Sequence, residues 1–108
     1  QYTEPENVDY RVYVTNAINF TFTIPANTDD FPVSATRKIN KDCLLLGMNP
    51  HMHQRGKAYT FEAIYPDGKK ELLLDVPRFD FNWQVPCMYR EPKPLPKGTK
   101  IVGIGVFD

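Results

Sequence analysis

The chain holds two histidines, His51 and His53, one residue apart in the stretch Met48-Asn49-Pro50-His51-Met52-His53-Gln54-Arg55-Gly56-Lys57. In extended backbone successive side chains take opposite faces, so both rings should project to one side and Met52 to the other. Two imidazoles on one face can share a single metal ion. Imidazole suits zinc, copper, iron and nickel alike, so the pair by itself does not choose the metal. The plainer reading of the same spacing is two solvent-facing residues of a strand.

Composition narrows what such a pair can serve. The 108 residues make one domain, and the 13 lysines and arginines balance 13 aspartates and glutamates with the signs interspersed. Such a surface offers no basic track for nucleic acid and no acidic tail. No apolar run approaches the ~20 residues of a membrane-spanning helix, so no membrane insertion is expected. Gln1 and Asp108 fall without a cap or turn, as expected of a piece of a longer chain. The two cysteines, Cys43 and Cys87, permit one disulfide, which would imply an exported protein, and their spacing excludes C-x-x-C zinc, thioredoxin and haem patterns. Two buried free thiols are the competing reading.

Ten prolines and many β-branched and aromatic residues argue for strands throughout. Residues 9–15 and 19–24 alternate apolar and polar, which predicts two half-buried strands, with Pro25 and the polar run to Asp30 ending the second. A weaker strand is expected over 31–39. Cys43 to Met48 is apolar on both parities, the pattern of a strand covered on both sides. The clearest local signal is a hairpin. Tyr59, Phe61, Ala63 and Tyr65 alternate, Pro66-Asp67-Gly68 supplies the turn, and Lys70 to Val76 returns with Leu72, Leu74 and Val76 on one face. Phe79, Phe81, Trp83 and Val85 form an aromatic stripe that reads as core. Pro86 to Gly98 reads as a stiff, proline-punctuated loop. Lys100 to Phe107 is a last buried strand whose Gly103 and Gly105 leave room for close approach to the backbone. Seven or eight such strands indicate an all-β fold, an antiparallel β-sandwich of jelly-roll type, with a closed up-and-down barrel as the alternative.

Read together, His51-Met52-His53-Gln54-Arg55-Gly56-Lys57, Tyr65-Pro66-Asp67-Gly68, Asp80-Phe81-Asn82-Trp83-Gln84, Glu91-Pro92-Lys93 and Leu95-Pro96-Lys97-Gly98-Thr99 resemble the C-terminal domain of the copper type II, ascorbate-dependent monooxygenases. The likeness is strongest to bacterial relatives with a His-Met-His-x-Arg-Gly-Lys signature. It runs from about Tyr10 to the end, leaving residues 1–9 as an N-terminal extension or linker and 10–108 as the domain, cut short at its C-terminal end. Peptidylglycine α-hydroxylating monooxygenase and dopamine β-monooxygenase in this family have two jelly-roll domains, each with one copper. The resemblance implies that His51 and His53 are metal ligands holding one copper at which oxygen is activated for C–H hydroxylation. It further implies ascorbate or another external reductant, a second copper domain or neighbouring chain as partner, and a periplasmic or extracellular location.

Three departures from the family pattern shape the expectation. The methionine ligand of the family lies beyond the strand that ends here at Asp108, and none of Met48, Met52 or Met88 is expected to replace it. A three-histidine electron-transfer domain is not part of this sequence, and the cysteines do not match the animal enzymes' disulfides. The alternative function is therefore a non-catalytic structural or interaction module of a larger extracytoplasmic assembly. Simple copper or zinc carriage, with a third ligand from another chain, ranks below both. Arg55 and Lys57 are expected either to orient an anionic substrate or to charge a sheet edge. Asp80, Asn82 and Gln84 are candidates to hydrogen-bond around the site, with solvent exposure as the default, and Asn19-Phe20-Thr21 spells a glycosylation sequon.

Overall fold

The computed structural model describes residues 2–108. Six strands form two antiparallel sheets: β1 (Phe31–Lys38), β2 (Cys43–Met48), β3 (Gly56–Ile64), β4 (Lys70–Val76), β5 (Cys87–Leu95) and β6 (Lys100–Phe107). The larger sheet has the order β1-β6-β3-β4, and β2 pairs with β5 in the smaller. This is an all-β, two-sheet sandwich. A jelly roll has eight strands, two more than the described residues form. Among these residues no helix is long and apolar enough to cross a membrane.

The core follows from the alternation of two central strands. Tyr59, Phe61 and Ala63 on β3 and Ile101, Gly103, Gly105 and Phe107 on β6 are buried, while the residues between them are less so. Register sets Tyr59 opposite Gly105 and Phe61 opposite Gly103. A Cβ on Gly103 would run into the Tyr59 hydroxyl and stand 3.1 Å from Phe61 Cε1. Gly103 therefore admits both aromatic side chains over the backbone, and Gly105 admits Met52 and Phe107, the close approach that their place in the sequence suggested. Leu95 and Thr99 close the core at the other end.

The hairpin forms where the sequence set it. Gly68 adopts φ 85°, the left-handed backbone that glycine tolerates, and Tyr65 N–H donates to Lys69 O at 2.8 Å. Its inward face differs from expectation in one residue. Phe61 pairs with Leu74 and Glu62 with Leu72, so Leu73 is the extra residue of a bulge. Leu73 is buried and Leu72 is 58% exposed.

Four other expectations are corrected. The segments 9–15 and 19–24 form no strand. Tyr10, Val12 and Val14 are exposed, because alternation makes a strand only where an open edge accepts it, and nothing pairs with this segment. Only its far end touches the sandwich, where Phe22 meets Phe107 at a ring separation of 5.4 Å and the Asn19 amide donates to Ser34 O at 3.0 Å. That bond occupies the sequon asparagine. Cys43–Met48 is not covered on both sides, since it lies in a two-stranded sheet with Leu44 and Leu46 exposed. Residues 86–98 are not a loop throughout, because 87–95 form β5. Pro92 and Pro94 sit within β5, which has one partner, so their missing N–H groups can face the open edge.

The fourth concerns the cysteines, which are free thiols. Cys43 pairs with Leu95 at one end of the small sheet and Cys87 with Met48 at the other. Five residues of strand separate them, roughly 17 Å, whereas a bridge needs Cα atoms within about 7 Å. The disulfide that the sequence permitted does not form, and the thiols are not the buried pair of the competing reading either, since Cys43 is exposed and Cys87 half-buried. Partial desolvation, with Asp42 as a lesser cause, pushes the Cys43 thiol above its ordinary pKa.

A polar clamp joins the sheets. Lys93 Nζ on β5 lies 2.6 Å from Glu71 Oε1 on β4, the Tyr65 hydroxyl donates to Glu71 Oε2 at 2.5 Å, and the Tyr89 hydroxyl donates to Leu73 O at 2.8 Å. The Lys93 bond, then the Tyr65 bond, holds the Glu71 carboxyl below its usual range, and Glu71 raises Lys93 in turn. The same contact pushes the Tyr65 phenol up to about 12. A depressed carboxyl stabilises the fold above its unfolded pKa, about 4.3, and the contribution fades as pH falls through the folded value. The raised lysine and phenol contribute below their unfolded values, about 10, and lose it as pH climbs through the folded ones. Replacing Lys93 by methionine should therefore cost up to ~1 kcal/mol around neutral pH, since the pair is partly exposed, a cost that starts to shrink as pH falls past about 4.3 and is gone only below the lowered Glu71 value. Urea unfolding across pH measures this, and a cost that persists in acid would show that the ion pair is not its source.

Candidate metal centre

The histidines lie in the connection between β2 and β3, which is extended without being part of either sheet. What orients them is Met52. Its side chain is buried to 4% exposure, whereas His51 and His53 on either side are exposed, which is the alternation the spacing predicted. The burial depends on two glycines. A Cβ on Gly105 would stand 2.7 Å from Met52 Sδ, and one on Gly56 would stand 2.9 Å from Met52 Cβ. Phe79, partly buried, packs on the same side of Gly56 and fixes the chain with an N–H bond to Lys57 O at 2.8 Å.

A turn closes the loop. Gly56 N–H donates to His53 O at 3.2 Å, and Arg55 takes φ 72°, left-handed backbone that a long side chain rarely adopts. The Arg55 carbonyl accepts a bond from Asp108 N–H at 3.0 Å, so the strained residue is held from the end of β6. Lys57 is bonded to Asp30 at 2.7 Å and Asp108 at 3.1 Å. Those carboxylates, Asp30 foremost, raise the Lys57 pKa. Its charge is thus committed to tying the loop before β1 to the end of β6. Because β3 is an interior strand, Lys57 guards no sheet edge.

With Met52 anchored, the two imidazoles stand side by side, ring centroids 5.2 Å apart and planes at 80°. They line an open cavity of about 380 Å³ together with Gln54, Phe81 and Gln84. No methionine lines it. Met48 accepts a long contact from the Tyr89 hydroxyl, 3.8 Å, and borders a second cavity of about 220 Å³ with Cys87 and Met88. Among the described residues no three of His, Cys, Asp and Glu come together as a metal cluster.

Gln84, a candidate from the sequence to hydrogen-bond around the site with solvent exposure as its default, does reach the cavity. The stripe from Phe79 to Val85 is not a core strand: Phe81, Trp83 and Val85 are 46%, 73% and 47% exposed. Asp80 breaks it, its carboxylate accepting the Asn82 N–H at 2.8 Å and its carbonyl the Trp83 N–H at 3.0 Å. The Asx turn carries Gln84 to the histidine cavity, where its Nε2 donates to Phe81 O at 2.9 Å. Its Oε1 is buried without a hydrogen-bond partner. The Phe81 bond fixes which end of the amide is the oxygen, because reversing it would set oxygen against oxygen. The signal that would have found Gln84 is Asp80-x-Asn82, a turn pattern inside an apparent alternation.

Two imidazoles with Gln84 beside them on one cavity wall are a fitting set for a borderline metal ion such as copper or zinc. Because the rings project outward, replacing both histidines by alanine should change stability by less than ~0.5 kcal/mol. Met52→Ala should cost about 2–5 kcal/mol, and chemical unfolding of the two variants separates the anchor from what it holds. Comparison with family models, with curated proteins and with solved structures yields no match to this chain, so the residues of the cavity carry the functional argument.

Proposed function

We propose that this chain is the oxygen-activating copper domain of a copper- and ascorbate-dependent monooxygenase-like protein, with His51 and His53 binding one copper ion. The observation that supports this most directly is the pairing of the two rings, 5.2 Å apart at the mouth of one cavity, by a loop whose central residue is locked in the core. The sequence signature from His51 to Lys57 adds the family. Copper bound there would supply oxygen activation for hydroxylating a carbon centre, with electrons from ascorbate or a similar reductant. The protein's part is to present two imidazoles and to keep one side of the cavity open to solvent. Phe81 offers an apolar wall for a substrate, and Gln54 a polar one. In this reading the domain is of jelly-roll type and works beside a second copper domain or neighbouring chain, in the periplasm or outside the cell.

One observation favours a second reading, a non-catalytic interaction module. Tyr10, Val12, Tyr13 and Val14 are 74–91% exposed in an unpaired segment, as a chain that adds to a partner's sheet would be. Both readings are addressed by metal loading. The protein incubated with Cu(II) and desalted should retain about one copper per chain, and the His51→Ala, His53→Ala variant should retain close to none. Equal copper in the two would remove the metal site and leave the module.

A further inference from the structure

We infer that Gln84 Oε1 is the third protein donor of the His51–His53 site, giving the chain a two-nitrogen, one-oxygen set that favours Cu(II) over Cu(I). This rests on the copper reading above. Three observations carry it. Gln84 shares the cavity wall with both histidines. Its amide is tethered through Nε2 to Phe81 O at 2.9 Å, so the plane is held while the oxygen is left over. That oxygen is a buried acceptor with no donor, a condition costly enough to be rare in folded proteins.

A buried acceptor is satisfied by an N–H, an O–H or a cation. Two imidazoles on the same wall make a cation the occupant that uses all three groups at once. Amide oxygen is a known weak ligand of copper centres, and as a hard donor it discriminates by oxidation state. Cu(II) accepts oxygen readily, whereas Cu(I) is content with two imidazoles and prefers sulfur. A site with Gln84 in the third place is therefore one that holds the oxidised ion, and the soft third ligand of the family pattern has no counterpart among the residues lining this cavity.

The test measures Cu(II) and Cu(I) affinities separately, by chelator competition with the metal ions alone, on the full chain and its variants. Gln84→Ala should weaken Cu(II) roughly tenfold or more while leaving Cu(I) affinity within about twofold. Gln84→Glu, which keeps an oxygen and adds charge, should bind Cu(II) at least as tightly as the wild type. Electron paramagnetic resonance of the Cu(II) form should show two coupled imidazole nitrogens in the wild type and a third in Gln84→His. Unchanged Cu(II) affinity in Gln84→Ala, with loss in the histidine variants, would overturn the role of Gln84 and leave the copper site standing. Equal losses for Cu(I) and Cu(II) would overturn it too, by showing a structural effect. If histidine substitution changes no affinity, the copper reading falls, and this inference with it.

Discussion

Met52 in its glycine-lined seat is the constraint on which the rest of the site depends. A side chain of this size reaches the core between His51 and His53 only because Gly105 and Gly56 present bare backbone to it. Extended backbone then leaves the flanking rings no choice of side. The histidine arrangement is thus decided by an apolar contact, and the polar groups inherit it. The tight turn at Arg55 and its bond from Asp108 keep the inserted methionine in register with β6.

The same economy of glycine and aromatic organises the central sheet. Tyr59 and Phe61, with ring centroids 4.7 Å apart, both lie against Gly103 of β6, while Gly105 makes room for Met52 and Phe107. Large residues on one strand and none on the next give a core thick enough for two sheets. The small sheet contributes Leu95 and Leu45 to that core, while Lys93 and Tyr89 bind it to β4 through polar contacts. One face of the small sheet stays wet, which explains how β2 can be apolar on both parities and still expose Leu44 and Leu46.

The sheet that carries the loop was legible in the sequence because its alternation, its turn and its glycines agree with one another at every level. Strands β4 and β6 run over the residues that alternation marked, and β1 and β3 differ by a residue or so at their ends. The outward aim of His51 and His53 was legible for the same reason. Alternation misled where no partner edge existed, at Tyr10 to Val14, and where a side chain bent the backbone, at Asp80. Proline misled in the opposite direction. Pro92 and Pro94 looked like loop punctuation, yet an edge strand asks nothing of their missing donors. The bulge at Leu73 depends on a tertiary partner that no local pattern contains, whereas the cavity position of Gln84 was signalled only by the turn pattern Asp80-x-Asn82.

The placement of the two cysteines gives the domain a mechanical property. Because Cys43 and Cys87 mark opposite ends of the β2–β5 ladder, no covalent cross-link can brace the sandwich from within. Cohesion between the sheets comes from the shared core and the lysine–glutamate–tyrosine clamp, none of which responds to thiol reagents. Among the described residues the sandwich thus holds no internal disulfide for a reductant to break. Electrons delivered to a metal at the loop would leave the scaffold's own bonds unchanged.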